Sequence, residues 1–375
     1  MIPQESELIA RAQALVPVLA ERAAACEAAR RLLPETLEDF VQAGFYRICQ
    51  PRAYGGYEMS PEVLFNVAME LAVGCPSSAW CLCLIGVHNW EPGLMDPQAA
   101  DDLWGVDPDI RYSSSYAPFG KAEHTTGGYR LSGRWEWSSG CDHCDWAILG
   151  GKLAGDDGPP QMAMLVPRED YRIVDTWHVA GLKGTGSNDV VVENAFVPEH
   201  RVHRLMEPSR RAFNSPIYDL PFANVFALCL CAVTQGIAEA ALESYTVYLR
   251  RRHHAYDGVA MVADPFQQRR LSEVTASVNA NRLRFHSVFR RLESCLENDV
   301  TVPVAVQIGE KWETQVLAHS NADLVTTLMS ASGGGAQRLE NPMQRYFRDI
   351  HAAVAHAFLN LDRGSLEFAR NTLRD

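Results

Sequence analysis

Several things are missing from this chain of 375 residues, and each narrows what it can do. A surplus of basic residues is absent. With 34 Lys and Arg against 46 Asp and Glu, the net charge is -12, so no general attraction draws the chain to phosphate backbones or anionic lipid. Long apolar runs are scarce as well. Val225 to Val233 is the longest strongly apolar stretch, well short of a bilayer span, and Met1 to Glu7 carries acids where a secretory signal carries bases. Both observations point to a cytoplasmic protein. The third absence is a nicotinamide-binding fingerprint. Gly184-Thr185-Gly186-Ser187-Asn188-Asp189 lacks the third glycine and runs into the apolar Val190-Val191-Val192, and Gly333-Gly334-Gly335 follows a helical pattern rather than a strand.

Cysteine framework spacing is lacking too. The ten cysteines are scattered, and Cys229 and Cys231 lie in apolar helical sequence where thiols pack as small hydrophobes. Cys141-Asp142-His143-Cys144 is a CxxC without a second ligand pair and without the strand-to-helix context of a dithiol site, so no metal is expected.

What is present is a clear change of pattern along the chain. Residues up to Asp109 read as helical, with Ser60-Pro61-Glu62 as a helix start. From Ile110 to Val202 the pattern becomes short alternating strands broken by Gly-Gly, Asp-Asp-Gly-Pro-Pro (156–160) and Gly-Thr-Gly turns. From Phe222 onward it is helical again, in long segments at Val225–His253, 266–297 and Val304–Ser332, with a last helix after Pro342. The expectation is an α+β fold of three parts: a helical domain over 1–109, a middle β-barrel or sandwich domain over 110–205 and a four-helix bundle over 206–375.

Within the β part, Trp135-Glu136-Trp137-Ser138-Ser139-Gly140 leads alternating indoles into two hydroxyls and a glycine. Aromatics at alternate strand positions ordinarily fill a sheet core. The same arrangement also gives a planar redox heterocycle an apolar wall and small polar groups for its ring nitrogens and carbonyls, as a flavin requires.

The order of helical, β and helical parts resembles the acyl-CoA dehydrogenase fold over nearly the whole chain. Leu131 to Gly140 occupies the place of that family's Leu-Asn-Gly-x-Lys-x-Trp-Ile-Thr-Asn segment, and Gly333 to Gly335, Pro342 and Arg345-Tyr346-Phe347-Arg348-Asp349 look like its Gly-Gly…Pro…Arg-x-x-Arg-Asp run. The departures are as informative. Where a dehydrogenase carries its glutamate base soon after Arg-Asp, this chain reads Ile350-His351-Ala352-Ala353-Val354-Ala355-His356. Gln50 to Gly56, Gly86-Val87-His88-Asn89-Trp90, Ser113-Ser114-Ser115-Tyr116-Ala117-Pro118, Trp137 to His143 and Gly184 to Ser187 instead resemble the oxygenase components of two-component (group D) flavin-dependent monooxygenases, the branch of the p-hydroxyphenylacetate and steroid-degrading phenol hydroxylases.

That resemblance implies reduced FMN or FAD delivered by a separate NAD(P)H-dependent flavin reductase, O2 as co-substrate, a C4a-hydroperoxyflavin, and hydroxylation of a small phenol- or indole-type substrate by a homotetramer or homodimer. The absence of an arginine in Asp264-Pro265-Phe266-Gln267 favours FMN. N- or S-oxygenation and acyl-CoA dehydrogenation are the alternatives. By the same resemblance Ser139, with Ser138 behind it, faces the flavin N5 proton, and His88 takes the phenol proton. One of His351 and His356 lies at the flavin edge or substrate. Tyr116, Ala117, Pro118, Trp137, Gly184, Thr185, Ser187 and Gly334 complete the cofactor contacts, and Trp80, Trp90 and Phe119 are candidate pocket walls or core residues.

Overall fold

The computed structural model describes residues 2–153, 162–205, 213–256, 258–296 and 301–374; the expected turn at 156–160 lies outside them. Five helices come first: α1 (Glu5–Ala29), α2 (Pro34–Gln42), α3 (Pro61–Gly74), α4 (Pro76–His88) and α5 (Pro97–Trp104). Proline stands at the first position of α2 to α5, where its missing N–H costs nothing, and Ser60 and Asp96 cap α3 and α5 through their side chains. Every residue of α4 is buried, which makes it the central strut of this part.

Seven strands follow: β1 (Tyr112–Thr125), β2 (Gly128–Ser138), β3 (Trp146–Leu153), β4 (Met162–Pro167), β5 (Tyr171–Val174), β6 (Asn188–Pro198) and β7 (Val202–Arg204). They form one sheet in the order β5-β6-β2-β1-β3-β4-β7, antiparallel throughout except for the parallel pair β1 and β3. A separate small core of Leu131, Trp135, Leu149, Met164, Val190 and neighbouring residues fills it. Two register breaks matter. One lies in β1 between Ser115 and Gly120, and the other lies in β2 between Trp135 and Ser138.

The chain ends in α6 (Phe222–Arg251), α7 (Pro265–Leu296), α8 (Val304–Ala331), α9 (Pro342–Val354) and α10 (Leu361–Thr372). Helices α6 to α9 pack on one another, and α6 also packs on α3 and α4. By length and composition α6 would suffice to cross a bilayer, which corrects the reading that no segment does. It is nevertheless 89% buried over its most apolar window, so its apolarity serves the core.

Candidate functional site

The second register break separates the two indoles that the sequence placed side by side. Trp135 is fully buried in the sheet core with Nε1 donating to Gly150 O at 2.6 Å, so for this residue the ordinary packing role holds. Trp137 has φ +65° and is 58% exposed: the left-handed backbone at the break turns its ring out of the sheet. A bulky residue held at positive φ is strained, and such strain concentrates at binding sites. Leu182 (φ +50°), Gly140 (φ +71°) and Gly186 (φ +54°) occupy the same backbone region on the segments beside it.

Beside Trp137 three hydroxyls form a chain whose direction is forced. Thr185 Oγ1 donates to Leu182 O at 2.9 Å, and a carbonyl can only accept. Thr185 thereby uses its single proton, so Ser187 must donate to Thr185 (2.7 Å) and Ser139 must donate to Ser187 (2.8 Å). Trp80 Nε1 donates to Ser139 Oγ at 3.1 Å. Ser139 has now used its proton and one lone pair, and what remains is an acceptor. Ser138, fully buried, donates to Ser113 Oγ at 3.0 Å and belongs to the sheet instead.

The loop that carries this chain is held by α9. Asp349 Oδ1 accepts from Leu182 N at 2.6 Å, Arg348 donates to Ala180 O, and a Cβ at Gly181 would lie 2.0 Å from Arg348 O. Arg348 in turn pairs with Glu27 of α1 at 2.5 Å. The Arg-x-x-Arg-Asp run is thus a clamp between α1, α9 and the 181–187 loop.

Helix α4 carries both Trp80 and His88, eight residues or about 12 Å apart along its axis. From Trp80 a line of rings runs back to His88: Trp80 to His356 (centroids 6.1 Å), His356 to Phe358 (5.9 Å), Phe358 to Phe226 (5.7 Å) and Phe226 to His88 (5.4 Å, near parallel). His88 is clamped between Phe226 and Tyr112 (5.7 Å, 24°), and Tyr116 meets it edge-on. Burial pushes His88 down to about 3 and His356 down to about 4, so both rings are neutral at pH 7. His356 Nδ1 accepts from Phe358 N at 3.3 Å, which leaves the proton of the neutral ring on Nε2 as a donor.

Several expected residues therefore converge: Ser139, Thr185, Ser187 and Trp80 at one end, His356 between, His88 and Tyr116 at the other. Ala117 and Pro118 lie in the β1 register break beside Tyr116, and Gly184 lies in the clamped loop. Others stand apart from this group. His351 is exposed on α9, bonded to Thr326 Oγ1 at 3.0 Å and packed on Phe347. Trp90 is fully buried with Nε1 donating to Ile217 O at 2.6 Å, a core residue. Phe119 is 52% exposed with no ring contact to this line, and Gly334 sits exposed in the turn after α8. Sequence reasoning missed Phe222, Phe226 and Phe358, whose rings come from the distant α6 and C-terminal segment. It also missed Glu91 and His203, paired at 2.7 Å. An acid inside the apolar stretch 82–95 was the available signal for Glu91.

Residues 228–361 match the family model for the C-terminal domain of acyl-CoA dehydrogenases. The chain is 36% identical over 365 residues, 92% of its length and 93% of the relative, to the flavin-dependent monooxygenase oxygenase subunit HsaA of Rhodococcus jostii. It is 33% identical to the oxygenase component of p-hydroxyphenylacetate 3-hydroxylase of Acinetobacter baumannii, covering 95% of this chain and 86% of that one. Among solved structures, XiaF from Streptomyces in complex with FADH2 and glycerol superposes with a TM-score of 0.90 at 27% identity, over 98% of this chain and 95% of the other.

Proposed function

Because the chain belongs to the family of flavin-dependent monooxygenase oxygenase components, we propose that it takes reduced flavin from a separate NAD(P)H-dependent reductase and hydroxylates an aromatic substrate of phenol or indole type. The observation that carries this reading is the direction of the Thr185–Ser187–Ser139 chain. Ser139 offers an acceptor, and reduced flavin presents a donor at N5 where oxidised flavin presents a lone pair. The residues fit the cofactor: an outward indole at Trp137 for the ring system, and Ser139 for the N5 proton, with Thr185 and Ser187 behind it. Bound reduced flavin supplies the activation of O2.

Around it this chain's residues divide the work. Ser139, its own proton given to Ser187, would accept from the flavin N5–H and hold that proton in place. His356 offers Nε2–H as a neutral donor between Trp80 and Phe358. Tyr116, Phe222, Phe226 and Phe358 pack ring against ring into an apolar cluster beside His88 that keeps water away from it. His88, neutral by burial, takes the phenolic proton and raises electron density on the ring. The flavin is reduced FMN or FAD. Asp264-Pro265-Phe266-Gln267 favours the former, and the FADH2 bound to XiaF favours the latter.

We read the protein as a cytoplasmic homotetramer or homodimer. Its ten unpaired thiols suit a reducing compartment, and exposed Phe266, Leu283, Val304 and Leu366 on the C-terminal helices suit a subunit interface. Anaerobic titration with reduced and oxidised FMN and FAD, followed by O2 and a panel of simple phenols and indoles, tests the activity. Hydroxylated product formed at the expense of peroxide supports it. Peroxide alone with every probe, or tighter binding of oxidised flavin, contradicts it.

A further inference from the structure

Behind His88 lies a second chain of hydrogen bonds that the chemistry above does not use. Tyr116 donates to Glu91 Oε2, His203 Nε2 stands 2.7 Å from Glu91 Oε1, and Tyr116 Oη stands 3.4 Å from His88 Nδ1. Glu91 is fully buried and the His203 side chain is 4% exposed, so a carboxylate has been carried into the core with no Lys or Arg beside it among the described residues. An acid placed there at the cost of its hydration needs a purpose beyond packing.

We propose that Glu91 and Tyr116 are positioning residues that fix the tautomer of His88, placing its proton on Nδ1 and leaving Nε2 as the base that meets the substrate. This rests on the reading of His88 as that base. A carboxylate has only acceptor atoms, so Tyr116 must give its one proton to Glu91. Tyr116 Oη is then an acceptor toward His88, and the bond to Nδ1 forms only if Nδ1 carries hydrogen. Among the described residues the His88 side chain makes its hydrogen bond through Nδ1, to Tyr116, and none through Nε2. Stacking between Tyr112 and Phe226 keeps the ring from exchanging its two nitrogens by rotation, and Tyr112 further ties the His88 backbone by donating to its carbonyl.

In the reaction the substrate O–H bond breaks, an Nε2–H bond forms, and the electron pair stays on the phenolate oxygen. The imidazolium that results keeps its Nδ1–H on Tyr116, whose own proton stays on Glu91. The negative charge of Glu91 thereby reaches the ring through one hydroxyl and offsets the burial that disfavours a charged His88.

The test uses the full chain labelled with 15N-histidine, with the His88 resonances assigned by their loss in His88→Gln. Two-bond nitrogen–proton correlations report the tautomer, and 4-nitrophenol added in slightly acidic buffer, where the free dye is largely neutral, reports whether a bound phenol is ionised. The wild type is expected to show Nδ1–H and bound phenolate. Tyr116→Phe keeps the ring and its packing but is expected to shift His88 toward Nε2–H and to lower the bound phenolate fraction about tenfold, with Glu91→Gln moving both in the same direction. An Nε2–H tautomer in the wild type, or a tautomer unchanged in Tyr116→Phe, overturns the proposal. Failure of the underlying reading looks different. No phenolate signal in the wild type, or one that persists in His88→Gln, overturns His88 as the base whatever its tautomer.

Discussion

The two ends of the line of rings use one device for opposite electrostatic purposes. At the Ser139 end, hydrogen bonds run from Trp80 through Ser139, Ser187 and Thr185 to a backbone carbonyl, so every link is neutral and the exit is a neutral acceptor. At the His88 end they run from His88 through Tyr116 to a carboxylate that is fully buried beside His203. Both chains end on a group that only accepts, and that end point dictates the polarity of every link before it. The neutral version suits holding a proton in place, where a nearby charge would disturb it. The charged version suits a site where positive charge must develop on imidazole inside a core. Direction therefore comes from the far end of each chain, not from the residue that meets the ligand.

Breaking the His88 end carries the largest expected effect. His88→Ala is expected to slow hydroxylation by about a hundred- to ten-thousand-fold, the range of general-base catalysis, while flavin oxidation continues as peroxide release. Product and peroxide measured together check this. A core residue without a chemical role would lower the melting temperature instead. At the other end, Ser139→Ala removes the acceptor itself. Product per reduced flavin is expected to fall about tenfold, one hydrogen bond's worth, with peroxide making up the difference. Unchanged product per flavin would move the N5 role away from Ser139.

A pH experiment sharpens the comparison through stability. The ordinary value for histidine is 6.5, and burial holds His88 at about 3 and His356 at about 4. Between those limits the unfolded chain binds protons that the folded protein refuses. The stability is complete above pH 6.5 and is lost as pH falls toward 4, by about 1.4 kcal/mol per pH unit for each histidine. Asp349, raised to about 7 by burial, acts in the opposite sense over that window because the folded protein holds its proton when the unfolded chain does not, so it offsets one histidine. His88→Gln is thus expected to flatten the fall in melting temperature on acidification, and an unchanged slope would show that this ring is not held neutral by burial. The smallest effect belongs to His351→Ala. The residue is exposed on α9, and product yield is expected to stay within about twofold, since surface changes away from a site shift energies by only a few tenths of a kcal/mol.

Much of this was legible in the sequence, and the limits have physical causes. Helical, strand and helical periodicities placed the three parts in order, and proline and serine marked helix starts that the structure keeps. Ser139 and His356 were named on resemblance and Trp80 as a pocket wall or core residue, and the structure brings the three together. Trp90 and Trp135 were not separable from wall residues, because a local pattern fixes neither the turn of a helix end nor a register break, and one positive φ at Trp137 reverses the outcome for two indoles on one strand. The choice between His351 and His356 depended on which face of the C-terminal segment meets α4, a contact far apart in sequence. Glu91, His203 and the direction of both chains were invisible for the same reason: a hydrogen bond's polarity is set by its neighbour's neighbours.

The central claim is that the Thr185–Ser187–Ser139 chain selects reduced flavin, and anaerobic equilibrium titration of wild type and Ser187→Ala with both redox forms of one flavin tests it most directly. In the wild type the reduced form should bind at least about tenfold more tightly, the worth of one matched hydrogen bond. In Ser187→Ala the Ser139 hydroxyl loses its acceptor and is free to donate, so that ratio should collapse toward one. Equal affinity for both forms in the wild type, or a ratio that Ser187→Ala leaves unchanged, would contradict the account.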